Sequence, residues 1–135
     1  FSWCLVLFLI RQFSARYMPQ NSRVIATKSP SADVLVFDYE RHDSKPKTND
    51  CKPQARLRGH SKEGFGLSWN RQQQGLLLSC AEDMQICMWD CGQATQLNNI
   101  LNPVAVYRAH TDTIGVRLLS LSLCFCFCVR LCEGY

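Results

Sequence analysis

The side chains in this sequence best equipped for chemistry are nine cysteines and three histidines. Thiolates and imidazoles act as nucleophiles, acid–base groups and zinc ligands, so their placement decides which chemistry is open. Cys4 stands alone near the start. Cys51, Cys80, Cys87 and Cys91 are spread through the middle, and Cys124, Cys126, Cys128 and Cys132 crowd the last stretch. Zinc sites favour cysteines two to four residues apart, with a second pair or histidines nearby. Cys124, Cys126 and Cys128 alternate instead, which puts them on one face of a strand. A thiol enzyme needs a cysteine paired with a histidine. No such pairing with His42, His60 or His110 is visible in the sequence. A secreted disulfide framework would bring regular cysteine spacing and a signal peptide. Neither is evident, so the expected setting is a reducing compartment, with the thiols serving as small buried hydrophobes. The expectation is no metal, no cofactor and no enzyme activity.

The elements that carry these residues are short. Val24–Thr27 and Val34–Phe37 are strand candidates on either side of a Ser-Pro-Ser-Ala-Asp turn, and 42–54 is a Lys/Pro-rich loop. The pattern restarts with a strand over Gly64–Trp69, a polar turn over Asn70–Gly75, a strand over Leu76–Ser79, a turn over Ala81–Met84 and a strand over Gln85–Trp89. No helical period separates them, which predicts an all-β architecture. The two halves repeat. Thr27 precedes Phe37-Asp38, and Ser79 precedes Trp89-Asp90, by the same ten positions, and the aromatic residues lie 52 positions apart. That period exceeds the roughly 40–45 residues of common propeller repeats, and the loop after Phe37 accounts for the excess.

The 135 residues are 47% hydrophobic and 19% charged, an ordinary globular balance in one domain. The net charge of +4 is mild and scattered, which argues against sequence-specific nucleic-acid binding. Two apolar runs, Phe1–Ile10 and Leu118–Val129, are too short for a membrane span, since ten helical residues cover roughly 15 Å. Phe1 in place of an initiator Met predicts a fragment or a processed product.

From Gly59-His60 through Trp69, Ser79 and Asp83 to Trp89-Asp90, the ordered set resembles a WD repeat. Longer stretches are similar to the retinoblastoma-associated histone-binding WD-repeat family in its plant-type form. They are Ala15-Arg16-Tyr17-Met18-Pro19-Gln20-Asn21, Ala32-Asp33-Val34-Leu35-Val36-Phe37-Asp38-Tyr39, Arg56-Leu57-Arg58-Gly59-His60, Lys62-Glu63-Gly64-Phe65-Gly66-Leu67-Ser68-Trp69, Gln85-Ile86-Cys87-Met88-Trp89-Asp90 and Arg108-Ala109-His110. The resemblance covers 15–110. It implies a fragment of a seven-bladed WD40 β-propeller, about two four-stranded blades plus the start of a third. Residues 1–14 and the Cys-rich tail within 111–135 do not match. It further implies a nuclear scaffold of chromatin-assembly, deacetylase or Polycomb-type complexes. The partners would be histones H3 and H4 and other chromatin-complex subunits, with no catalysis and no membrane.

The resemblance also assigns roles. His60, Ser79, Asp83 and Trp89 match the hydrogen-bonded set that holds a WD blade together, with Asp83 accepting from the imidazole. An acid–base pair of His60 and Asp83 is the competing reading, and no nucleophile is aligned with it in the sequence. Glu63 matches an acidic contact to a basic histone peptide, and Phe65 stands where the family has a tyrosine, keeping the stacking face without the hydroxyl. Other family contacts are absent: Ile10–Ser14 does not match, Gly115 replaces an acidic residue, and the elements of the H4 groove are missing. The abrupt loss of match at both edges suggests translated non-coding sequence flanking true exons. Two blades cannot close a ring, which predicts open sheet edges and aggregation. The alternatives are a generic WD-repeat adaptor, as in ubiquitin ligation, and a non-functional truncated product.

Overall fold

In the computed structural model the described residues are 14–28, 30–42, 45, 47, 52–64, 66–94 and 98–108. They form nine strands in two sheets, with two single 3₁₀ turns and no other helix. The all-β architecture holds. Neither sheet closes into a barrel, and the described residues do not form a closed propeller.

The first sheet is a meander of β1 (Ser14–Met18), β2 (Asn21–Lys28), β3 (Val34–Asp38) and β4 (Ala55–Leu57), each antiparallel to the next. The second repeats the plan with β5 (Gly66–Trp69), β6 (Leu76–Cys80), β7 (Ile86–Asp90) and β9 (Ala105–Tyr107). Between β7 and β9 the chain leaves its own sheet. β8 (Ile100–Leu101) lies parallel to β4 and makes the first sheet five-stranded. Arg56 N–H donates to the Asn99 carbonyl at 2.6 Å and Arg58 N–H to that of Leu101 at 3.0 Å. Val104 N–H then returns to Met88 O at 2.8 Å. The expectation of two four-stranded units is thus corrected for the first sheet by this strap, which borrows two residues from its neighbour.

Local chemistry sets the turns. Asn70 Oδ1 accepts from Gln72 N–H and Gln73 N–H at 2.7 and 2.9 Å, and Gly75 supplies the positive φ (87°) that brings the chain into β6. Asp38 and Asp90 each end a strand and cap the 3₁₀ turn that follows, accepting from Glu40 N–H and Gly92 N–H. The aromatic-Asp repeat therefore marks one device used twice. The strand expected from Gly64 begins at Gly66. Gly64 is instead held against the β6–β7 turn, where Glu82 N–H donates to Glu63 O at 2.9 Å.

The core lies between the sheets. Ala26, Val34 and Val36 meet Leu67, Trp69, Leu77, Cys87 and Trp89. Burial of each large side chain stabilises by roughly 1.5–3 kcal/mol. Polar ties cross the same boundary: Trp69 Nε1–H donates to Arg16 O at 2.9 Å, and Lys28 Nζ to Cys80 O at 2.9 Å. β2, β3 and β6 are each buried at four consecutive positions. Because successive side chains point to opposite faces, these stretches of β2, β3 and β6 are covered on both faces.

Candidate functional site

The antiparallel register places the first two members. Ser79 pairs with Cys87 and Leu77 with Trp89, so Ser79 and Trp89 are diagonal neighbours on the face turned to the first sheet. Trp89 Nε1–H donates to Ser79 Oγ at 2.8 Å. The loop before β5 brings His60 against the same hydroxyl, with Nε2 2.7 Å from Oγ. The β6–β7 turn brings Asp83 to the far side of the ring, 3.0 and 3.2 Å from Nδ1.

Donor bookkeeping fixes the direction. An indole N–H can only donate and a carboxylate can only accept, so Ser79 Oγ accepts from Trp89, the neutral His60 ring turns its one N–H to Asp83, and the Ser79 hydroxyl donates to Nε2. Nε2 is then an acceptor, and Nδ1–H donates to Asp83. Asp83 also accepts from Ser61 N–H at 2.9 Å and Gln85 N–H at 3.1 Å. Trp89 and Ser79 are wholly buried and His60 is 7% exposed, so a broken link would leave a polar group without water.

Burial holds His60 below its ordinary pKa, and the charge of Lys28 adds to this against the pull of Asp83. Burial alone would raise Asp83. The Ser61 N–H, His60 and the Gln85 N–H outweigh it and hold the carboxylate below its usual range. The pair is therefore a neutral imidazole on a carboxylate.

Two glycines make this approach possible. A Cβ on Gly59 would sit 2.9 Å from the Trp89 ring and 3.0 Å from Pro103, so the residue before His60 has no room for a side chain. A Cβ on Gly64 would come within 2.7 Å of Cys80 O and closer still to the Ala81 backbone.

The order Ser79–His60–Asp83 is that of a hydrolytic triad. The sequence reading found no nucleophile aligned with His60, and the structure places the Ser79 hydroxyl on it. That hydroxyl, however, is sealed, and it accepts from Trp89. A substrate would have no path to it. The structure also brings Cys87 Sγ to 3.9 Å from His60 Nδ1, a Cys–His approach not visible in the sequence. Burial pushes the Cys87 thiol up to about 12, Cys80 to about 11 and Cys91 to about 12, so all three stay protonated rather than nucleophilic.

Glu63 sits half-buried in the loop between His60 and β5, its backbone tied to the β6–β7 turn. Phe65, His110, Gly115 and the cysteines from Cys124 onward lie outside the described residues. His42 follows the 3₁₀ turn after β3, beside Phe37 and hydrogen-bonded to Gln54, remote in sequence from any cysteine that is described. Among the described residues no three His, Cys, Asp or Glu side chains gather as metal ligands, and no helix is long and apolar enough to cross a membrane.

At the opposite end of β7 a cleft of about 760 Å³ opens between the sheets, bordered by Met18, Val24, Phe37, Asp38, Arg41 and Cys91. Asp38 is already engaged there by Glu40 N–H, by Arg41 and, through its own N–H, by Gln54. Sequence reasoning missed Lys28. Its one signal was a lysine closing an apolar run, 52 positions before Cys80, at the period of the repeat itself.

No protein-family model matches the chain.

Proposed function

We propose that this chain is a two-blade portion of a WD-repeat β-propeller and acts as a protein-interaction scaffold without catalysis. The observation that carries this reading is the sealed Trp89–Ser79–His60–Asp83 chain, which spends a serine, a histidine and an aspartate on holding one sheet together. Two successive antiparallel meanders, stacked through a shared core and buried on both faces along β2, β3 and β6, suit a radial array of blades better than a two-layer sandwich with wet outer faces.

Within that class, the particular role we propose is a histone-binding scaffold of nuclear chromatin-assembly, deacetylase or Polycomb-type complexes. The support is the run from Lys62 to Trp69, in which Glu63 is positioned by a backbone hydrogen bond and by the close packing of Gly64. Glu63 would pair with a lysine or arginine of a histone H3 peptide. The test is fluorescence anisotropy with a labelled histone H3 amino-terminal peptide. Saturable binding that weakens by about tenfold or more in Glu63→Gln supports the role, since a hydrogen bond to a charged group contributes about 1.5–3 kcal/mol. Binding that Glu63→Gln leaves unchanged overturns the site. No saturable binding overturns the histone reading and leaves the generic scaffold.

A further inference from the structure

Lys28 is explained neither by the strand pattern nor by the scaffold role. It ends β2 on the face turned to the second sheet, has no exposed surface, and donates to a backbone carbonyl, that of Cys80, at 2.9 Å. Cys80 adjoins Ser79, so this cation is sealed beside the hydrogen-bond chain and supplied by the opposite sheet.

We propose that Lys28 is a positioning residue acting across the sheet boundary: its buried ammonium bars a second proton from His60 and so keeps the Trp89–Ser79–His60–Asp83 chain in one donor order. A carboxylate 3.0 Å from Nδ1 would by itself favour an imidazolium. Burial opposes this most strongly, and the like charge of Lys28 is the next largest opposing influence.

The groups that face Lys28 are Cys80 on β6, Asp83 in the turn and Cys87 on β7. Those that face His60 are Asp83, the Ser79 hydroxyl, the Cys87 thiol and Lys28 itself. Neither thiol ionises near neutrality, so Lys28 and Asp83 are the charges that compete for the ring. The stake is geometric. A proton on Nε2 would make Ser79 Oγ accept from both His60 and Trp89, and its own hydrogen would lose its partner in a dry site.

The experiment is a histidine ¹⁵N NMR titration of the full chain. In the parent protein the His60 ring should hold its proton on Nδ1 at neutral pH. Its nitrogens should then shift between pH 7 and 10 with the same midpoint as the Lys28 side chain, which burial brings down to about 8. In Lys28→Met the acid midpoint of His60 should move up, and Lys28→Arg should restore it. A folded Lys28→Met with an unmoved midpoint overturns the proposal. Should that variant not fold, a ring in the parent protein that ignores the alkaline titration of Lys28 overturns it equally.

Discussion

Ser79 and Thr27 hold equivalent positions in the two halves, yet they carry very different loads. Ser79 Oγ links an indole and an imidazole, both buried. The Thr27 hydroxyl makes a long bond to Leu35 O at 3.4 Å, and the ring of its partner aromatic, Phe37, carries no N–H to offer it. Ser79→Ala should therefore lower stability by about 3 kcal/mol, because two buried groups lose their partner together. Thr27→Val should cost about 1 kcal/mol or less. Urea unfolding of both variants checks the contrast, and equal costs would mean that the chain through Ser79 contributes no more than an ordinary hydroxyl. At this scale the sequence was legible only through resemblance. Nothing in the spacing of His60, Ser79, Asp83 and Trp89 requires them to meet. It is the hairpin register and the bare Cα of Gly59 that allow it.

At the scale of elements, the strands that could be read were those with strong apolar runs: the cores of β2, β3, β6 and β7, and the whole of β5, begun two residues too soon. β1, β4, β8 and β9 went unread. β1 and β4 mix arginines with small and apolar residues, and β8 and β9 are two and three residues long. Such pieces become strands because a neighbour offers an edge, which no local pattern reports. The parallel pairing of β8 with β4 was beyond reach for the same reason, since its partner lies in the other sheet. The late start of β5 has a specific cause, the packing of Gly64 on the Ala81 backbone. Gly64→Ala should cost about 1–3 kcal/mol, the usual range for overpacking. Thermal unfolding measures it, and a neutral result would show that the turn can yield without loss.

At the scale of the whole molecule, the described groups whose pKa is shifted shape how stability varies with pH. As pH falls through about 6.5, an unfolded histidine takes up a proton before the depressed His60 does, so stability declines. Asp83, also depressed, adds a loss further down, below the ordinary carboxylate value. On the alkaline side two effects oppose. Lys28 has about 8 folded against an ordinary 10.5, so the unfolded chain holds the extra proton and stability rises with pH from about 8. Cys80, Cys87 and Cys91 run from an ordinary 9.0 up to about 11 or 12, so the unfolded chain loses protons first and stability falls above about 9. Three thiols outweigh one amine. The expected profile falls away below about pH 6.5, is level to about pH 8, rises to a maximum near pH 9 and falls beyond it, measured as melting temperature against pH. Continued stabilisation above pH 9 would contradict the sealed thiols.

The joint between the halves has one more property. Lys28 grips the residue that occupies its own position one repeat later, and it grips the main chain, a group that every amino acid carries. This bond thus makes no demand on the identity of the side chain at the accepting position, and its specificity resides with the donor. A tandem duplication would carry its fastener with it. New units could be appended or exchanged downstream without matching changes in the unit that receives the lysine, which is a connector suited to shuffling.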